Sequence, residues 1–194
     1  MPRPWFTCAF IAAAALLLCG AAAMACTNGG GGKATTIPTS GNTPQVTAGT
    51  PLTTEEYFQR LSELNDQAAL GLDAVNNDLS TALPTDRGLV ALRASITQYA
   101  AVYQEFRDGL QQLSPPAELQ ATHPEAIDAL TAFIDYSQVA SAQAEDAQDI
   151  IDIAAIIDNE QTQTINRRLT DACEALQQAA AGQDITIDLA CGEP

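Results

Sequence analysis

Histidine, redox-type cysteine motifs and basic charge are what this chain has least of. One histidine, His123, stands among 194 residues. A di-iron bundle needs Glu-x-x-His on two helices, so that centre is excluded. No C-x-x-C occurs for zinc or dithiol exchange, and no C-x-x-C-H for haem. Gly29-Gly-Gly-Gly-Lys33 has the glycines of a phosphate loop but neither its spacing, its preceding strand nor its following Ser/Thr. His123 itself sits beside Pro124 at a helix start, a place for a structural or solvent-facing role. With no catalytic constellation, cofactor motif or metal set in view, the expectation is a protein that is not an enzyme. Lys and Arg number 8 against 24 Asp and Glu, a net charge of −16. So acidic a chain does not suit nucleic acid or an anionic lipid surface.

The N-terminus is where the apolar residues concentrate. A short basic start (Met1, Arg3) leads into Ala9-Phe-Ile-Ala-Ala-Ala-Ala-Leu-Leu-Leu18 and then into small residues, Gly20-Ala-Ala-Ala23. Basic start, apolar run and small-residue site make an export signal over residues 1–25, outside the folded protein. The uncharged stretch from Trp5 to Ala25 is just long enough to span a bilayer, but its Ala- and Gly-rich second half favours cleavage. Ala23-Met24-Ala25 fits ordinary signal cleavage. Followed by Cys26, the same residues also resemble a bacterial lipobox, departing from it in having Ala23 where Leu is usual. Cysteine parity separates the two. Cleavage removes Cys8 and Cys19 and leaves Cys26, Cys173 and Cys191, an odd number in an exported chain. If Cys26 carries lipid, Cys173 and Cys191 can pair and none is left over.

Residues 26–51 then read as a lipid-anchored linker. Thr27 to Thr50 carries one charge, Lys33, and is dominated by Gly, Thr, Pro, Ser and Asn with no periodicity, a composition that cannot bury a core. As a flexible coil it would span about 25–30 Å. Its threonines would also suit O-glycosylation.

From residue 52 to 194 the pattern turns helical, over the length of one domain. Tyr57, Leu61, Leu64, Ala68, Leu72, Val75 and Leu79 step by three and four. So do Leu89, Leu92, Ile96, Tyr99, Tyr103, Phe106, Leu110 and Leu113, with one lapse. Ile127, Leu130, Ile134, Ser137, Ser141 and Ala144 form a third stripe, and Ile165, Leu169, Ala172, Leu176 and Ala179 a fourth. Thr53-Thr-Glu-Glu56 and Thr122-His-Pro-Glu125 both have the capping-box pattern. Leu83-Pro84-Thr85 and Ser114-Pro-Pro116 separate helices, and Gly182 stops the last. The break between the third and fourth helices is placed near Asp158-Asn159, within an Ile-rich run that is apolar on more than one side. The fold class expected is all-α: an up-down-up-down four-helix bundle with a disulfide-pinned extended C-terminal tail.

That tail, Asp184-Ile-Thr-Ile-Asp-Leu-Ala-Cys191, alternates apolar and polar residues. Returning from Cys191 to Cys173 means running back along about nine helical residues, roughly 14 Å. Eight to nine extended residues reach about 28 Å, so the disulfide closes with slack. Only Arg167 and Arg168 lie near enough to lower a thiol pKa, which speaks against a redox-active pair.

Tyr57, Tyr99, Tyr103, Phe106, Phe133 and Tyr136 could converge at one level of the bundle, as core packing or as the lining of a small apolar pocket. Asp128, Asp135, Asp149 and Asp152 fall beside the third stripe and read as a solvated face.

Leu113-Ser-Pro-Pro-Ala-Glu-Leu-Gln-Ala-Thr-His123, Ala172-Cys-Glu-Ala-Leu176 and Ile187-Asp-Leu-Ala-Cys191 resemble stretches of uncharacterised bacterial envelope lipoproteins with a helical-bundle domain. The resemblance implies address and fold and carries no catalytic or binding residue. The expected protein is exported and held on the outer face of a bacterial membrane through a lipid anchor. It would act as a structural module or dock an envelope protein partner, with small-ligand binding among the helices as the alternative.

Overall fold

The computed structural model describes residues 51–189 and 191. The export signal, Cys26 and the linker up to Thr50 lie outside the described residues.

Five α-helices and one 3-10 turn make up the described chain, and no strand occurs in it. They are α1 (Thr54–Ala82), α2 (Gly88–Gln111), the 3-10 turn (Ala117–Leu119), α3 (Thr122–Glu145), α4 (Ile150–Ile157) and α5 (Glu160–Ala181). The domain is all-helical with a Cys173–Cys191 disulfide, as expected, but the count of four helices is corrected to five. The chain does break at Asp158-Asn159. It breaks a second time after Glu145, without a Gly or Pro to mark the place. There the Asp149 side chain accepts from the backbone N–H groups of Ile151 and Asp152 and so starts α4 afresh. Asp152 in turn accepts from the backbone of Gln148 at 2.7 Å. These two acids cap a new helix and are no part of a solvated face on α3.

Capping explains other boundaries. Thr53 and Glu56 form the expected reciprocal capping box, at 3.2 and 3.0 Å. Thr122 and Glu125 do not. Ala121 ahead of them is already in the right-handed helical region, so Thr122 is the first helical residue and caps nothing. At the end of α5 Gly182 has ordinary helical φ, and the left-handed residue is Asp184 at φ 58°. The bonds Ile185 N–H to Ala180 C=O (3.0 Å) and Asp184 N–H to Ala181 C=O (3.2 Å) are those of a Schellman motif with Asp184 in the place glycine usually takes.

The main packing is α2 against α3, α1 against α2, and α3 against α5. Neighbours run antiparallel. Leu64 lies over Gly109 and Val102 over Gly71, so the α1 number rises as the α2 number falls. Each glycine lets the facing side chain come against backbone; a methyl at Gly71 would sit 2.9 Å from Val102 Cγ2. Along α2 and α3, Thr97 meets Ser141 and Tyr103 meets Phe133 in the same opposed sense. The α3 helix is buried on two sides, and Ala126, Ala129, Ala140 and Ala144 let its neighbours approach closely. α4 bridges the ends of α2 and α3. There Arg93 donates to the Ala147 carbonyl.

The chain ends on the core. Leu189 is wholly buried, against Phe106 of α2, Ala126 and Leu130 of α3, and Leu169, Ala172 and Leu176 of α5. Removing one leucine side chain of this kind from water is worth about 1.5–3 kcal/mol. The disulfide, with Cα atoms 5.6 Å apart, fastens the next residues to α5.

Candidate functional site

The six aromatic residues picked from the sequence do not share one chamber. Tyr57 sits at the end of the domain where α1 and α3 begin, edge-on to Phe58 and to His123. Its hydroxyl lies 2.9 Å from His123 Nδ1. Burial pushes the Tyr57 hydroxyl well above its usual pKa and holds His123 below 6.5. The two share one hydrogen bond, whose direction follows the tautomer of the neutral imidazole. The one histidine is thus engaged by a phenol and is structural, though not through the capping box that its sequence neighbourhood suggested.

Tyr103 and Phe133 pack edge to face midway along α2 and α3, centroids 4.5 Å apart. Tyr99 lies one turn further and donates to Asn76 on α1. Phe106 backs onto Leu189. The gap left beside those two residues is about 10 Å³, room for one water at most. Core packing accounts for these five residues.

Tyr136 differs from the other five. Its hydroxyl donates to the Ile156 carbonyl at 2.6 Å and accepts from Asn159 Nδ2 at 2.7 Å and Thr162 Oγ1 at 2.8 Å. One oxygen therefore joins α3 to the last residues of α4 and the first turn of α5. Asn159 also caps α5, accepting from the Thr162 N–H at 3.0 Å. Beside this hub α3 and α5 line an open groove of about 600 Å³. Ala132, Asp135, Tyr136 and Val139 line it from α3, and Glu160, Gln161, Thr164, Ile165 and Arg168 from α5. Val139 is 54 % exposed there. Among the described residues, Leu70, Val90 and Ile151 are the other large apolar side chains that face water, and none of them lines this concavity.

Sequence reading found Tyr136 but not its company. Val139 sits off the apolar stripe of α3, and that was the available signal: a branched apolar residue on a face otherwise given to Asp135, Gln138 and Gln143. Among the described residues, no three His, Cys, Asp or Glu side chains come together in a way that could hold a metal. No described helix is long and apolar enough to cross a membrane.

No family model, no curated protein and no solved structure matches this chain.

Proposed function

We propose that this chain is a membrane-tethered lipoprotein of the bacterial cell envelope whose helical domain is a protein-interaction module. The observation that carries the activity is the α3–α5 groove, where concavity and an exposed large apolar side chain coincide. An open groove encloses a small molecule poorly, whereas binding sites for such ligands bury most of the ligand surface. It can take the face of another helix or an extended segment. The alternative, a small ligand among the helices, would need the aromatic set to line a cavity; five of the six pack instead against other core residues or hydrogen-bond partners. We read the four long helices as an up-down bundle and α4 as an elbow inserted before the last of them.

The address rests on the cysteines. With Cys173 and Cys191 paired, the cysteine that remains after the apolar leader is Cys26, at the position where lipid would be attached.

The test is a photo-reactive side chain at position 139, with one at exposed position 70 as control, in the host. A discrete adduct from position 139 and none from 70 is the expected result. Equal labelling from both, or none from either, would remove the interaction reading. Mass spectrometry of the N-terminus decides the anchor separately: a diacylated Cys26 is expected, and an unmodified Cys26 or an intact leader would contradict it.

A further inference from the structure

We infer that the occupant of the α3–α5 groove is a cationic amphipathic helix of another protein. The inference rests on the interaction reading above and names the partner's chemistry. Three features of the groove select it. Its apolar lining is Ala132, Val139 and Ile165. The walls are two antiparallel helices, a trough into which a third helix lays an apolar stripe at i, i+3, i+4 and i+7. Its charged lining is Asp135 on α3 and Glu160 on α5, with Arg168 two turns further along α5.

Charge decides which helix fits. Asp135 and Glu160 call for Lys or Arg on the flanks of the incoming helix, and Arg168 calls for one acid about two turns away. The field of the whole chain points the same way, with 24 acids against 8 bases drawing cationic partners and repelling anionic ones. It also disfavours a second copy of this chain, whose helices bring the same excess of acid. The Tyr136 hub fixes the angle between α3 and the start of α5, so the trough is formed before the partner arrives. A formed trough loses less conformational freedom on binding.

The test uses the full exported protein, in nanodiscs of neutral lipid if the anchor is present. The probes are three synthetic helical peptides with one common apolar stripe. Their flanks carry Lys, Gln or Glu. The Lys peptide should bind about tenfold tighter than the Gln peptide, and the advantage should shrink as salt is raised. The Glu peptide should not bind. An Asp135→Asn, Glu160→Gln double variant should bring the Lys peptide down to the affinity of the Gln peptide, and Val139→Ser should weaken both. All three positions lie on the exposed groove, and an unchanged melting curve verifies the fold. Equal binding of Lys and Gln peptides, blocked by Val139→Ser, would overturn the cationic partner and leave the groove as a docking site. Binding of no peptide, or self-association through the groove, would overturn the inference. The adduct from position 139 would then still report on the interaction reading alone.

Discussion

The two ends of α5 are held by opposite kinds of chemistry. At its start a single phenol oxygen, Tyr136 Oη, gathers a backbone carbonyl, an amide and a hydroxyl. Past its finish the tail turns back along the helix, fastened by a covalent bond to Cys173 and by one buried leucine. The first arrangement depends on every member being present, since a buried polar group left without its partner costs about 1–3 kcal/mol. The second depends on the redox state of its surroundings and tolerates changes to its polar neighbours. The hydrogen-bonded end is also the end that shapes the groove. An end that must hold an angle is served by directional bonds, and an end that must only not fray is served by a clasp.

Breaking the clasp should have the largest effect. Cys173→Ser, or reduction, should lower stability by about 3 kcal/mol for a loop of 18 residues. Thermal unfolding should fall by about 10 °C in a domain of this size. Tyr136→Phe should cost about 2 kcal/mol in denaturant unfolding. It should also weaken the groove more than its stability loss explains, because Asn159 and Thr162 lose their common partner. The two losses should add within about 0.5 kcal/mol in the double variant, as for independent sites. Strong non-additivity would mean the ends are one cooperative unit.

A third prediction contrasts the Tyr57–His123 end with the acids around it. Burial lowers the His123 pKa below the 6.5 at which the unfolded chain titrates. Between those values the unfolded state binds more protons. Stability is therefore full above about pH 6.5, declines as pH falls through it, and levels off below the folded-state pKa. Glu56, held down by bonds from the Thr53 backbone and hydroxyl, and Glu118, held down by the Thr54 hydroxyl, act in a lower window. Their contribution is present above 4.5 and is lost as pH falls below it. Urea midpoints measured across pH should show two steps, and His123→Gln should remove the upper one alone. The smallest effect belongs to Asp184. At φ 58°, Asp184→Gly should gain about 0.5 kcal/mol, relief of the left-handed backbone being offset in part by the freer unfolded chain.

The helices were legible because Leu, Ile and Tyr recur at steps of three and four and the core falls on those residues: Leu61, Leu72, Ile96, Tyr103, Leu169 and Leu176 are all buried. The disulfide was legible from parity and reach. The break after Glu145 was not, because a capping Asp looks like any surface Asp until the chain around it turns. The same holds for Asp184, where an aspartate stands in the place glycine usually marks. Nor was the groove, since a concavity between two helices leaves no trace in either periodicity; only Val139, apolar on a polar face, hinted at it. The expected convergence of aromatics failed for a geometric reason. Tyr57 lies at the end where α1 and α3 begin, well away from the level of Tyr99 and Tyr136, and the hydroxyls of the three go to different partners.

Amide hydrogen exchange on the oxidised and the reduced protein tests the division between the two ends most directly. Reduction should strip protection from the last turns of α5 and from residues 185–189 while the first turn of α5 and all of α4 keep theirs. Tyr136→Phe should do the reverse, loosening α4 and the start of α5 under an intact clasp. Uniform loss of protection along α5 in both experiments, or no change at residues 185–189 on reduction, would contradict the account.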